Sequence, residues 1–269
     1  MQLVDIGANL THPAFRDDLP EVVARARQAG VVQCVVTGTS IEESERALEL
    51  GFPCTAGVHP HHARDCDVQT IPRLRELAGN SRVVAIGECG LDFNRNYSPH
   101  PDQEKCFIAQ IDLAIELKKP LFMHSRDAFP RFSELLEKKQ NLPPAVAHCF
   151  TGSKEELRAY LGLGLYIGIT GWICDERRGA HLLELVRDIP RDRLLLETDA
   201  PYLVPRDLRP QPKARRNEPA FLPHILNAVA RALGRPADEI AAETTRNAAR
   251  LFGLDESGSL TAAQRPLAA

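Results

Sequence analysis

Short apolar runs of strand type alternate with longer segments of helical periodicity along most of this chain. The strand-type runs are Leu3–Leu10, Cys34–Thr39, Cys54–Pro60, Val83–Gly90, Leu121–Arg126, Ala145–Phe150, Leu165–Gly171 and Leu194–Asp199, eight in all. Between them, Leu19–Ala29, Ile41–Leu50, Ile71–Ala78, Gln103–Lys118, Ala128–Lys139, Lys154–Gly162 and His181–Ile189 repeat apolar residues at helical spacing. Ser153 stands where it can cap the helix from Lys154, with Glu156 at the third position of a capping box. Two more helical patterns, Ala220–Leu233 and Pro236–Leu251, close the series, and the small, polar stretch 255–269 reads as a disordered tail. An eightfold strand–helix alternation of this length predicts an α/β fold, a TIM (β/α)8 barrel forming one domain over 1–254. A doubly wound open sheet gives a similar pattern.

Composition narrows the class without naming a chemistry. Hydrophobic residues make up 43% and charged residues 26% of 269, which is ordinary for a soluble globular chain. The formal charge of −3 provides no global attraction for nucleic acid, so any polyanion must be bound by a local patch. No run approaches the ~20 apolar residues that span a bilayer, and the N-terminus carries neither a basic nor a long apolar leader. The seven cysteines are odd in number, scattered and free of CxxC spacing, which argues against a disulfide framework or a zinc ribbon. A cytoplasmic enzyme with no membrane partner is the expectation.

The metal-capable side chains fall at the C-terminal ends of the proposed strands: His59 and His61 after the third, Glu88 in the fourth, His124 in the fifth, His148 in the sixth and Asp199 in the eighth. In a barrel those ends share one face, where catalytic groups from distant strands meet. Glu88 leaves a buried strand between Gly87 and Gly90, poorly placed for packing and well placed to reach an open site. One carboxylate and two imidazoles, from Glu88, His124 and His148, suffice to hold a divalent cation with positions left for water and substrate. Asp199 is suited to bind it too, or to act as a base.

The sequence then resembles a known family. Ala85-Ile-Gly-Glu-Cys-Gly-Leu-Asp92, Gly57-Val-His-Pro-His61, Met123-His-Ser-Arg-Asp127, Ala147-His-Cys-Phe-Thr-Gly152, Glu197-Thr-Asp-Ala-Pro-Tyr202 and Arg216-Asn-Glu-Pro219 occur in the order seen in the TatD family of metal-dependent deoxyribonucleases. These are barrel enzymes of the amidohydrolase superfamily. Gly168-Ile-Thr-Gly-Trp-Ile-Cys-Asp-Glu-Arg-Arg178 is similar to the subgroup around TatD rather than its paralogues. The resemblance implies a 3′–5′ exonuclease on single-stranded DNA and RNA, linked to DNA repair after oxidative damage and using Mg²⁺; Mn²⁺ or Zn²⁺ are the alternatives, and a monomer is the expectation. A hydrolase of another substrate, such as misacylated tRNA, and a catalytically impaired binding protein are the competing readings.

One position departs from the family. Most members begin Asp-x-His-x-His and bind one ion of a pair through the two histidines, whereas this chain reads Asp5-Ile-Gly-Ala-Asn9. Carrying the pattern over leaves Glu88, His124 and His148 as a complete site, and Glu88 with Asp199, helped by Asn9, as a weak second one. The expectation is one firmly held ion, and a second that arrives with substrate phosphate. Asp199 is then the general base, while His59 and His61 contact the phosphate or protonate the leaving 3′ oxygen. Arg126 is placed to clamp a phosphate oxygen or to pair with Asp92 or Asp127. The loop 200–219 contains five prolines and a run of cations; Arg206, Arg209, Arg215 and Arg216 offer a phosphate track, and Tyr202 a stacking surface. Cys89 and Cys149, next to ligands, read as small core residues.

Overall fold

The computed structural model describes residues 1–212 and 214–255, so the expected tail lies, apart from its first residue, outside the described residues. Eight parallel strands form one sheet in chain order: β1 (Leu3–Ala8), β2 (Val31–Val36), β3 (Cys54–Ala56), β4 (Val83–Asp92), β5 (Leu121–Arg126), β6 (Ala145–Ala147), β7 (Tyr166–Ile169) and β8 (Leu194–Leu196). They alternate with α1 (Leu19–Gln28), α2 (Ile41–Glu49), α3 (Thr70–Ala78), α4 (His100–Leu117), α5 (Arg131–Glu137), α6 (Lys154–Gly162) and α7 (Leu182–Leu185), and α8 (Leu222–Leu233) and α9 (Ala237–Phe252) follow. This is the (β/α)8 fold that the alternation predicts. Strands β1, β3, β4, β6, β7 and β8 are buried at every position, as strands covered on both faces must be.

Contacts group the chain into two compact units. Among the described residues, one comprises Met1–Val36, Cys149–Thr151 and 167–255; the other comprises Thr37–His148 and Gly152–Tyr166. In the first, Ala8 of β1 bridges in parallel to Ala200, the Asn9 amide donates to the Ala200 carbonyl at 2.7 Å, and the Asp199 amide donates to the Gly7 carbonyl at 2.9 Å. The first and last strands of the sheet are thereby adjacent. In the second unit Phe107 of α4 stacks on Phe132 of α5 with centroids 5.3 Å apart, and Tyr160 of α6 bonds Ser125 of β5 at 2.8 Å. Ser153 caps α6 by accepting the Glu156 amide.

Three differences from the sequence pattern bear on function. β4 does not stop at Gly90 but runs on to Asp92. β3, β6 and β8 are only three residues long, so His59, His148 and Asp199 lie in the loops just beyond them. β2 starts at Val31, because the β-branched run begins there. No described helix is long and apolar enough to cross a membrane.

Candidate metal centre

The site in the second unit is built around β4. Gly87 and Gly90 both have φ of +140°, and a Cβ on either would collide with a β5 carbonyl oxygen, that of Phe122 or of His124. Only glycine lets the two backbones approach so closely. Glu88 is consequently set against β5 and faces three histidines. Its Oε1 lies 2.8 Å from His148 Nε2, 3.1 Å from His124 Nδ1 and 3.2 Å from His59 Nε2. Phe122, behind, stacks on the His148 ring at 4.6 Å.

A further carboxylate backs this group. Asp92 Oδ2 is 2.8 Å from His61 Nε2 and 3.3 Å from His124 Nε2, so the His124 ring is held between two carboxylates, one at each nitrogen. The other oxygen of Asp92 accepts the backbone N–H groups of Asn94 and Arg95. Gln103 of α4 in turn accepts the Asp92 amide, at 2.8 Å, and donates to its carbonyl. Asp92 is a candidate site residue that the sequence pattern named only as an ion-pair partner for Arg126. Its even spacing from Glu88 was a usable signal, since such residues share a strand face, but the strand appeared to end at Gly90.

The charges follow from burial and these contacts. Burial works against an ionised Glu88, yet the facing histidines His148 and His59, with hydrogen bonds from His124 and His148, hold its carboxyl well below the usual range. Asp92 behaves alike: burial opposes ionisation, and hydrogen bonds from His124 and His61 overcome it, leaving the carboxyl well below the ordinary value. Burial dominates at His59, pushing it down to about 4 despite Glu88. At His124 burial is outweighed by the bonds to Asp92 and Glu88, and the imidazole is raised.

His59, Glu88 and His124 each turn one donor atom into a common space within 4.8 Å. Ligands about 2.1 Å from one cation, at tetrahedral to octahedral angles, are separated by about 3.0–3.4 Å, which brackets the spacings of His124 and His59 from Glu88, while His148 stands closer, at 2.8 Å. A buried carboxylate facing three imidazole nitrogens thus fits a divalent ion. The expected set Glu88, His124 and His148 is brought together. His59 lies against the same Glu88 oxygen, and His61 is directed to Asp92. Tyr97, half-exposed, meets the His61 ring edge-on at 4.7 Å. Arg126 ends β5 in register with Asp92, its carbonyl accepting the Phe93 amide.

In the first unit, Asn9 Nδ2 donates to Asp199 Oδ1 at 3.0 Å, so the amide that replaces the family's second histidine is hydrogen-bonded to the β8 carboxylate. Asp5 is fully buried and accepts the Thr198 amide at 2.9 Å and the Thr198 hydroxyl; burial pushes its carboxyl up to about 7. Glu197, also fully buried, accepts the amide of Cys149, the residue after His148. Cys89 is a core residue, as expected, whereas Cys149 is only partly buried, with φ of +48° and its sulfur 3.5 Å from the Thr170 hydroxyl.

The basic loop is heavily self-engaged. Arg216 forms paired bonds of 2.7 Å to both Asp18 oxygens, another to Glu218, and lies over the Phe15 ring at 5.0 Å. Arg206 pairs with Glu176 at 3.0 Å, and Arg209 donates to the carbonyls of Arg206 and Leu208. Arg215 is exposed, and Tyr202, half-exposed, meets His12 edge-on.

Residues 4–253 match the family described as TatD related DNase. The protein named 3′-5′ ssDNA/RNA exonuclease TatD from Pantoea ananatis is 53% identical over 259 residues, covering 94% of this chain and all of that protein. Its namesake from Cronobacter sakazakii is 55% identical over 256 residues, covering 93% and 97%. Among solved structures, the TatD homologue YJJV of Escherichia coli superposes with a TM-score of 0.84 at 29% identity, covering 94% of this chain and 98% of that one. Matched by the family model over residues 4–253 and more than half identical to proteins named TatD, the chain belongs to the TatD family of related DNases.

Proposed function

We propose that this protein is a metal-dependent 3′–5′ exonuclease that hydrolyses phosphodiester bonds of single-stranded DNA and RNA. The observation that carries the reading is the convergence of three imidazole nitrogens on one oxygen of the buried, ionised Glu88. The names of relatives more than half identical support the substrate class.

Glu88, His124 and His148 would hold the ion, with His59 as a fourth donor. When bound, a divalent cation polarises the scissile phosphate and makes water a stronger nucleophile. Everything else falls to the chain's own groups. Asp92 orients His124 through the nitrogen remote from Glu88, fixing the ring as carboxylates behind metal-binding histidines do. With Asp92 ionised, His61 Nε2 carries its hydrogen toward that carboxylate, which leaves Nδ1 to hold and release a proton for the leaving 3′ oxygen. Asp199, just past β8, is the proposed base for the attacking water, and Arg126 a phosphate contact. The Asn9 amide already bonds Asp199, which supports a second ion that is weak or enters with substrate phosphate.

Half-exposed Tyr97, beside His61, adds a surface on which a terminal base can stack, with Tyr202 as another. Arg206, Arg209 and Arg215 supply exposed cations for the backbone, and Arg216 contributes mainly to the fold. The imidazole-rich donor set accommodates Mn²⁺ or Zn²⁺ as readily as Mg²⁺. A monomer acting in the cytoplasm is the simplest setting.

The test is digestion of end-labelled single-stranded and duplex DNA and of RNA by the purified protein, with and without each divalent cation. The expected result is a metal-dependent ladder from the 3′ end on single strands, abolished in Glu88→Gln. Binding of DNA without cleavage under any of the metals would overturn the proposal in favour of a catalytically impaired binding protein.

A further inference from the structure

Cys66 and Cys106 are far apart in sequence, yet their sulfurs are in direct contact at 2.6 Å. Cys66 ends the short 3-10 segment Pro60–Asp65, which begins directly after His59 and contains His61; Cys106 lies in the second turn of α4. Cys66 is partly exposed, whereas Cys106 is buried. The contact between the two sulfurs holds the Cys66 thiol below its ordinary value, while the same contact, with burial, raises Cys106. One sulfur is therefore the accessible nucleophile and the other a protected partner behind it, the arrangement of an attacking and a resolving thiol.

The surroundings tie this pair to the histidine segment. Gln110, one turn further along α4, donates to the Cys106 sulfur at 3.3 Å and exchanges two bonds with the backbone of Val58, the residue before His59. Ser98, just before α4, donates to the His61 carbonyl at 2.9 Å and accepts the Arg64 amide at 3.0 Å. Residues 58–64 are thus already fastened by hydrogen bonds to α4 and to the turn before it, and the sulfur pair lies at the C-terminal end of the segment.

We infer that Cys66 and Cys106 form a reversible disulfide site, oxidised by hydroperoxides, that clamps the segment carrying His59 and His61 onto α4. The Cys66 thiolate attacks one oxygen of hydrogen peroxide and breaks the O–O bond; the departing hydroxide takes up a proton and leaves as water, with sulfenic acid on Cys66. The Cys106 sulfur then attacks that sulfur and breaks the S–O bond, and the hydroxide leaves as a second water with the Cys106 proton. Two thiols and one peroxide give one disulfide and two waters, and a dithiol reductant restores the pair. Because the sulfurs already touch, the bond forms without rebuilding the site. Its effect is to close a loop of 40 residues in the unfolded chain and to suppress opening of residues 58–66.

The experiment uses the full chain treated with equimolar to modest excess hydrogen peroxide, alkylated, digested and analysed by mass spectrometry, with parallel thermal melts. The expected product is a peptide pair joined through Cys66 and Cys106, two hydrogens lighter than its parts and reversed by dithiothreitol. Oxidised protein should melt about 5–15 °C higher than reduced protein, with slower amide exchange over residues 58–66. Cys66→Ser, at the partly exposed position, and Cys106→Ser should each lose both the link and the rise. Recovery of both cysteines as alkylated thiols while others oxidise, or a link that leaves the melt and the exchange unchanged, overturns the inference.

Discussion

Asp92 Oδ2 bonds His61 Nε2 at 2.8 Å and stands 3.3 Å from Nε2 of His124, whose other nitrogen faces Glu88. One carboxylate thus bonds both an imidazole of the candidate metal group and the more exposed imidazole in front of it. Replacing Asp92 by Asn keeps the shape and removes the charge, so both rings lose the anion that fixes their hydrogens. The expected outcome is a 10- to 100-fold loss of kcat or of metal affinity, with the far-ultraviolet circular dichroism and the melting temperature little changed. Steady-state kinetics and metal titration of Asp92→Asn check it; wild-type values for both would remove Asp92 from the site.

Gly90 permits the close approach of β4 to β5. In Gly90→Ala the new methyl would meet the His124 carbonyl at a φ of +140°, so the strand must shift by more than its neighbours allow. A loss of about 3 kcal/mol or more is expected, together with loss of activity because Glu88 and His124 move apart. Urea unfolding gives the first quantity and exonuclease assays the second.

The buried Asp5 makes stability depend on pH in a definite direction. Its carboxyl is pushed up to about 7 in the folded chain, against 3.8 for a free aspartate side chain, chiefly by burial. Folding therefore takes up a proton across that window. The stabilisation is complete below the unfolded value and is lost as pH rises through the folded one, a change on the order of 4 kcal/mol. Asp5→Asn cannot titrate, so its unfolding free energy should fall less than the wild type's between about pH 5.5 and about pH 8. Parallel pH profiles would show that Asp5 stays ionised when folded.

Arg216 and Arg209 belong to the same basic loop and differ in what their charges meet. Arg216 is enclosed by Asp18, Glu218 and Phe15, and removing it leaves Glu218 and Asp18 with Arg25 alone. Arg216→Ala should cost about 1–3 kcal/mol of stability without altering the salt dependence of single-strand binding. Arg209→Ala should do the reverse, lowering the slope of log affinity against log salt by about 0.7. Fluorescence anisotropy at several salt concentrations, paired with urea melts, separates the two; equal slope changes would place Arg216 on the nucleic-acid track after all.

Much was legible in the chain itself. The β-branched runs, the helical periodicities and the Ser153 cap are local signals, and they fix eight strands and their intervening helices because each depends on neighbours a few residues away. The convergence of Glu88, His124 and His148 followed from one topological rule, that strand ends of a parallel barrel share a face. What the sequence could not show was which nitrogen faces which oxygen. His59 and His61 read alike as loop histidines, yet the backbone beyond β3 turns one toward Glu88 and the other toward Asp92. Asp92 itself stayed hidden because glycine at 90 reads as a stop, and only the pairing of β4 with β5 carries the strand on to it. The cysteines at 66 and 106 carry no spacing signal, and Arg216 looked like a free cation until Asp18, distant in sequence, closed on it. Periodicity is written in nearest neighbours and survives in one dimension; pairings between residues tens to hundreds apart are settled by packing, and only the folded chain determines them.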